Sequence, residues 1–85
     1  MSDLQAKFEA AVAGSKTLAK RPDNESLLKL YALYKQSSKG DVSGKRPGRF
    51  SMVDRAKYDA WAKVKGVSAD DAKQQYIDLV ESLKG

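Results

Sequence analysis

Apolar residues recur at helical spacing in four separate stretches of this chain, and the polar residues between them mark where each stretch starts and stops. In the first, Leu4, Phe8, Ala11 and Val12 fall at i, i+4, i+7 and i+8, which predicts an amphipathic helix with one apolar stripe. Ser2 or Asp3 can cap it, and Gly14 or Ser15 ends it. TLAKRPD then reads as a loop, because Pro22 disfavours helical geometry at Arg21 while Asp23 or Asn24 offers a side-chain oxygen to a new helix start. The second helix runs from about Asn24 to Lys39, with Gly40 as a left-handed stop. Ser51 with Asp54 three residues on announces a third by capping-box spacing; it carries Val53, Ala56, Ala60, Trp61 and Val64, and Gly66 stops it. Ser68 with Asp71 repeats the device for a fourth helix, whose stripe of Ala72, Tyr76, Leu79, Val80 and Leu83 suits the stripe of the first.

No stretch alternates with strand period, so the expectation is an all-α fold, a four-helix bundle that occupies residues 1–85 as one domain. One connection stands out. GDVSGKRPGRF, between helices two and three, is longer than the roughly 2 to 8 residues usual between helices, and long ordered loops are often functional.

The second helix is also apolar over too wide an arc. Leu27, Leu28, Leu30, Tyr31, Leu33 and Tyr34 cover more than one core-facing stripe needs, so part of that arc should face something other than the core. On it, Tyr31, Tyr34 and Lys35 are three and four residues apart, which places two rings and an ammonium on one face. Lys57, Tyr58 and Trp61 form a similar group on helix three, and the loop between holds Lys45, Arg46 and Arg49. Two faces of aromatic rings and lysine, joined by a basic loop, suit an anion that carries a flat ring.

Charge sharpens this reading. The chain has 85 residues and a net charge of +5, yet residues 16–65 hold 13 of the Lys and Arg against 5 Asp and Glu, or +8, which leaves −3 for the two ends together. The middle is the part that seeks anions. Cysteine and histidine are absent, so disulfides, thiolate metal sites and the usual general base are excluded, and no cofactor or metal is expected. There is no apolar run of the ~20 residues that span a bilayer and no signal-peptide pattern, which predicts a soluble intracellular protein.

The ordered motifs YxxYKQ, GD, RPG, AK-aromatic-DAW and KG, within YALYKQSSKGDVSGKRPGRFSMVDRAKYDAWAKVKG, resemble the acyl-CoA-binding protein family, and the similarity runs from the Phe8 region to the DAxxxYI of helix four. The resemblance implies an up-down-down-up bundle that binds medium- to long-chain acyl-CoA thioesters without catalysis, a cytoplasmic, monomeric carrier and buffer. Its partners would be the small-molecule ligand and, transiently, membranes or acyl-CoA-using enzymes, with no nucleic acid. It makes Tyr31 and Lys35 the ring and ammonium that meet the adenine and the ribose 3′-phosphate, and Lys57 the second ammonium on that phosphate. Tyr34 would line the same region, and Tyr76 would approach the ribose. Ala11, Val12, Leu27 and Leu28 would line the acyl groove, with Lys16 and Arg21 as basic residues at its edge. Tyr58 stands where the family usually has Trp, and Ser51 and Asp54 depart from its common pattern.

Other readings of these residues compete. Tyr34, Tyr76 and Trp61 suit core packing, and a lone surface lysine is ordinarily just solvated. A basic segment with interleaved aromatics is also the footprint of a nucleic-acid-binding module, although Asp54 and Asp59 alternate with Lys57 and Lys63 along helix three and would repel phosphates. An enzyme would have to work with carboxylates that helix capping already explains.

Overall fold

The computed structural model describes residues 3–84, and each of the four stripes winds into a helix: α1 (Asp3–Ser15), α2 (Asn24–Lys39), α3 (Met52–Lys63) and α4 (Ala69–Lys84). The cap predicted at Ser2 lies outside the described residues. Asp23 caps α2, its Oδ1 accepting from the Ser26 N–H at 2.8 Å, and Ser68 caps α4, its Oγ accepting from the Asp71 N–H at 3.1 Å. The box at Ser51 does not form. Its φ of −103° and ψ of 63° are not the extended values that aim an N-cap hydroxyl into the first turn, and the Ser51 N–H bonds back to the Gly48 carbonyl at 2.9 Å. Nor does α3 reach Gly66. Its last turn tightens, with Val64 N–H donating to the Trp61 carbonyl and Lys65 N–H to that of Ala62, and the helix ends at Lys63. Gly40 does stop α2, but at φ 82° and ψ −151°, a region open essentially to glycine alone and distinct from the left-handed helical one predicted.

Contacts along the helices fix their directions. Phe8 meets Tyr76 and Gly14 lies near Lys84, so α1 and α4 run parallel. Tyr31 faces Lys57 and Gln36 faces Trp61, so α2 and α3 run parallel as well. Gln36 bonds Val67, just before α4, while Glu25 and Leu79 face one cavity, so α2 and α4 are antiparallel. This is the up-down-down-up bundle. Parallel neighbours need a return path: after α2 the chain must travel back most of a helix length, on the order of 20 Å at 1.5 Å per residue, before α3 can start. The long connection at 40–51 supplies it.

The core is built by three of the helices. Phe8 and Ala11 of α1, Leu30 and Leu33 of α2, and Ala72, Tyr76 and Val80 of α4 form one buried cluster, so the α1 and α4 stripes do meet. Each large apolar side chain fully buried there contributes about 1.5–3 kcal/mol. Helix α3 buries none of its residues and packs on α2 alone. Polar bonds fasten it. Gln36, 2% exposed, donates from Nε2 to Asp41 Oδ1 and to the Val67 carbonyl, both at 2.8 Å, and accepts at Oε1 from Trp61 Nε1 at 3.1 Å. The indole N–H also reaches the Gly40 carbonyl at 2.9 Å, and Asp41 Oδ1 accepts the Gly66 N–H at 2.8 Å. Among the described residues no buried side-chain nitrogen or oxygen lacks a partner.

Candidate ligand-binding site

Two ammonium groups stand within reach of the Tyr31 ring. The Nζ of Lys35, one turn further along α2, stands 5.7 Å from the ring centroid, and the Nζ of Lys57, from α3, stands 5.3 Å from it. Both distances fall within cation–π range. Two like charges on one half-buried ring repel each other, and an anion between them relieves that repulsion. Among the described residues the ion pairs are Arg46–Asp59 and Glu81–Lys84, so both ammoniums are available to an external anion.

Next to this ring lies a cavity of about 490 Å³ in the seam between α2 and α3, lined by Arg21, Asn24, Leu27, Leu28, Tyr31, Met52, Val53, Ala56 and Lys57. Its two ends differ. Tyr31 and Lys57 close one with ring and charge, and Leu27, Leu28, Val53 and Ala56 line an apolar floor that runs about 10 Å along α2 to Asn24. A larger cavity, about 580 Å³, lies over α2 in the gap between α3 and α4 and shares Leu28 and Ala56 with the first. Glu25, Asp59 and Asp78 stand around it with Lys29 and Lys63, and it has no aromatic residue. Size favours the larger one; the chemistry of a flat anion favours the smaller.

Of the residues singled out in the sequence, Arg21, Leu27, Leu28, Tyr31 and Lys57 are brought together on this smaller cavity, and Lys35 joins them through Tyr31. The others stand elsewhere. Tyr34 is 43% exposed and is therefore not a core residue, but its ring stacks on Phe8 with centroids 6.1 Å apart. Phe8 in turn meets Tyr76 edge-on at 5.2 Å, so three rings link α2 to α1 and α4. Tyr76 is 4% exposed and donates its hydroxyl to Ser15 Oγ at 3.1 Å; Ala11 is buried in the same core with Val12 packed against it. Neither Tyr76 nor the α1 pair lines the cavity, because the α1 and α4 stripes bury one another. Lys16 is exposed beyond the end of α1.

Four wall residues, Asn24, Met52, Val53 and Ala56, are not among the groove positions expected from sequence, where Asn24 is a helix-start candidate and Val53 and Ala56 are simply apolar positions of helix three. The loop between α2 and α3 is pinned to α3 by two further contacts. Arg46 Nε and Nη2 donate to the two oxygens of Asp59 at 2.8 and 2.7 Å, and the Tyr58 hydroxyl donates to the Gly44 carbonyl at 3.0 Å. Arg46 holds the Asp59 carboxyl below its ordinary range, and Asp59 raises the guanidinium. The Gly66 N–H, followed by the Gln36 amide, holds the Asp41 carboxyl low in the same way. The loop is basic, but one of its arginines serves the fold.

Comparison with known proteins agrees on one family. Residues 5–80 match the family model described as acyl CoA binding protein. The chain is 49% identical over 80 residues to the acyl-CoA-binding protein of Brassica napus, covering 94% of this chain and 87% of that one. To acyl-CoA-binding protein homolog 1 of Caenorhabditis elegans it is 47% identical over 76 residues, with 89% and 88% covered. The crystal structure of Oryza sativa acyl-CoA-binding protein 2 superposes with a TM-score of 0.90 at 44% identity, over 95% of this chain and 88% of that one.

Proposed function

Because the chain belongs to the acyl-CoA-binding protein family, we propose that it binds medium- to long-chain acyl-CoA thioesters without transforming them, as a single-domain carrier and buffer of that pool. The observation that carries this reading is the convergence of Lys35 and Lys57, from two helices, on Tyr31 at the head of an apolar groove. Adenine stacks on Tyr31, and the two ammoniums take the ribose 3′-phosphate, a dianion that offers oxygens on several sides to freely rotating donors. The acyl chain lies along Leu27, Leu28, Val53 and Ala56, with Arg21 at the far end. Tyr34 extends the aromatic surface toward α1, and Tyr76, Ala11 and Val12 support it from the core. Lys16 adds positive charge at the edge.

Each buried methylene contributes about 0.8 kcal/mol before ordering costs, so affinity rises with chain length until the groove is full. The nucleotide end selects the class of ligand and the hydrocarbon end sets how tightly it is held. The protein acts as a monomer in the cytoplasm and touches membranes or acyl-CoA-using enzymes only while loading or unloading. Among the described residues, no helix is long and apolar enough to cross a membrane.

Calorimetric titration with palmitoyl-CoA, with palmitoyl-dephospho-CoA and free palmitate as controls, tests the reading. Tight one-to-one binding of the thioester and much weaker binding of both controls is the expected result. Equal affinity for the dephospho form would remove the phosphate from the account, and absence of any binding would overturn it.

A further inference from the structure

The turn that leads into α3 carries apolar side chains that the core does not use. Phe50 is 95% exposed, Met52 77% and Val53 67%, three large hydrophobic groups within four consecutive residues. Their backbone is set, since the Ser51 N–H bonds the Gly48 carbonyl and the Ser51 carbonyl accepts the Arg55 N–H that starts the helix. Contiguous exposed apolar surface of this kind usually marks an interaction site.

Its surroundings specify the partner. Residues 45–57 hold Lys45, Arg46, Arg49, Arg55 and Lys57 against Asp54, and with Arg46 neutralised by Asp59 four cations face one anion, or +3. Two copies would bring two such tips together against their own repulsion. An apolar tip in a ring of cations is the chemistry of an amphipathic element at an anionic lipid surface. Met52 and Val53 also line the groove together with Arg21, so tip and groove share a wall.

We propose that the turn from Arg49 to Val53 docks this protein on anionic bilayers, with Phe50 entering the acyl region and Arg49 meeting the headgroups. The groove then opens at the membrane interface, and a hydrocarbon chain passes between lipid and protein without crossing water. This last step rests on the acyl-CoA reading above; the docking itself does not.

The test is sedimentation of the whole protein with vesicles of equal parts phosphatidylcholine and phosphatidylserine, and with pure phosphatidylcholine, at low salt. Wild type, Phe50→Ser and Arg49→Glu are compared, and each is titrated with palmitoyl-CoA in the absence of vesicles. Wild type should bind the anionic vesicles far better than the neutral ones. Phe50→Ser should lose about tenfold of that binding, and Arg49→Glu at least about fivefold, while the vesicle-free titrations stay unchanged because neither residue lines the groove. Variants that bind vesicles as well as wild type overturn the proposal. So does a wild type that ignores anionic vesicles, which would make the tip a surface for an acidic protein. If vesicle binding depends on Phe50 and yet no variant binds palmitoyl-CoA, docking stands and the acyl-CoA function fails.

Discussion

Trp61 on α3 donates its indole N–H to Gln36 Oε1 on α2 at 3.1 Å, across 25 positions of sequence, and this bond ties together the two helices that flank the groove. Gln36 also anchors Asp41 and the carbonyl of Val67, so it joins α2, the loop and the turn before α4.

Gln36→Ala removes all three bonds at once and leaves the half-buried Val67 carbonyl without its partner, which should cost about 3 kcal/mol and lower Tm by more than about 10 °C. Arg46→Ala breaks a pair whose side chains are 49% and 42% exposed and should cost about 1 kcal/mol or less. Thermal unfolding followed by circular dichroism ranks the two. Equal shifts would mean that the buried network holds the fold no better than the surface pair.

Lys57→Glu should weaken palmitoyl-CoA binding roughly 10- to 100-fold, the value of one charge-assisted hydrogen bond, and leave helix content intact. Lys45→Glu, in the same basic segment but off the groove, is the control and should change little. If both variants bind alike, overall charge and not the Tyr31 cluster holds the phosphate.

Tyr31→Leu keeps apolar volume and removes the ring. The expected loss is about 1–3 kcal/mol from stacking, with the gain in affinity per methylene preserved across a series of acyl chain lengths. A flattened chain-length series would assign Tyr31 to the acyl wall and not to the adenine.

Stability should be flat from about pH 5 to 8, because the chain has no histidine to titrate there. Asp41, Asp59 and Asp23 are all held below the ordinary value of 3.8, by the Gly66 N–H, the Arg46 guanidinium and the Ser26 N–H respectively. Carboxyls lowered in the folded state take up protons more readily when unfolded, so their stabilisation is complete above the ordinary value and is lost as pH falls through it toward the folded one. Tm should therefore drop below about pH 4, and Asp41→Asn should drop less steeply over that range. An identical acid limb in the variant would remove Asp41 from the list.

Much of this was legible in sequence because it is local. The stripes of α1 and α4, the caps at Asp23 and Ser68 and the stop at Gly40 depend on residues within one or two turns of each other. Helical spacing puts Tyr31 and Lys35 on one face, whereas only the family resemblance joins Lys57 to them; the contacts of both ammoniums with the Tyr31 ring, within cation–π range, are what the fold adds. What stayed hidden is long-range. Gln36 reads as an ordinary helical residue until Val67 and Trp61 arrive from 31 and 25 positions away, and then the motifs YKQ, GD, DAW and KG turn out to supply Gln36, Asp41, Trp61 and Gly66 to one network. Ser51 misled because its cap depends on backbone angles, φ −103° and ψ 63°, that the capping-box spacing does not encode. Sequence alone assigns no partner to the apolar positions of α3, and only the placement of α3 outside the core shows Val53 and Ala56 to be groove wall.

Because α3 buries no residue of its own, the empty protein should be least protected there, and amide exchange across Met52–Lys63 should be the fastest of the four helices. A hydrocarbon chain seated between α2 and α3 would give that helix the apolar contact its own sequence lacks, and binding to the folded form alone slows its opening in proportion to ligand concentration over Kd. Turnover would then follow supply: where lipid precursor is scarce, the loosely held helix exposes this chain to proteases, and where it is abundant the cargo protects its carrier.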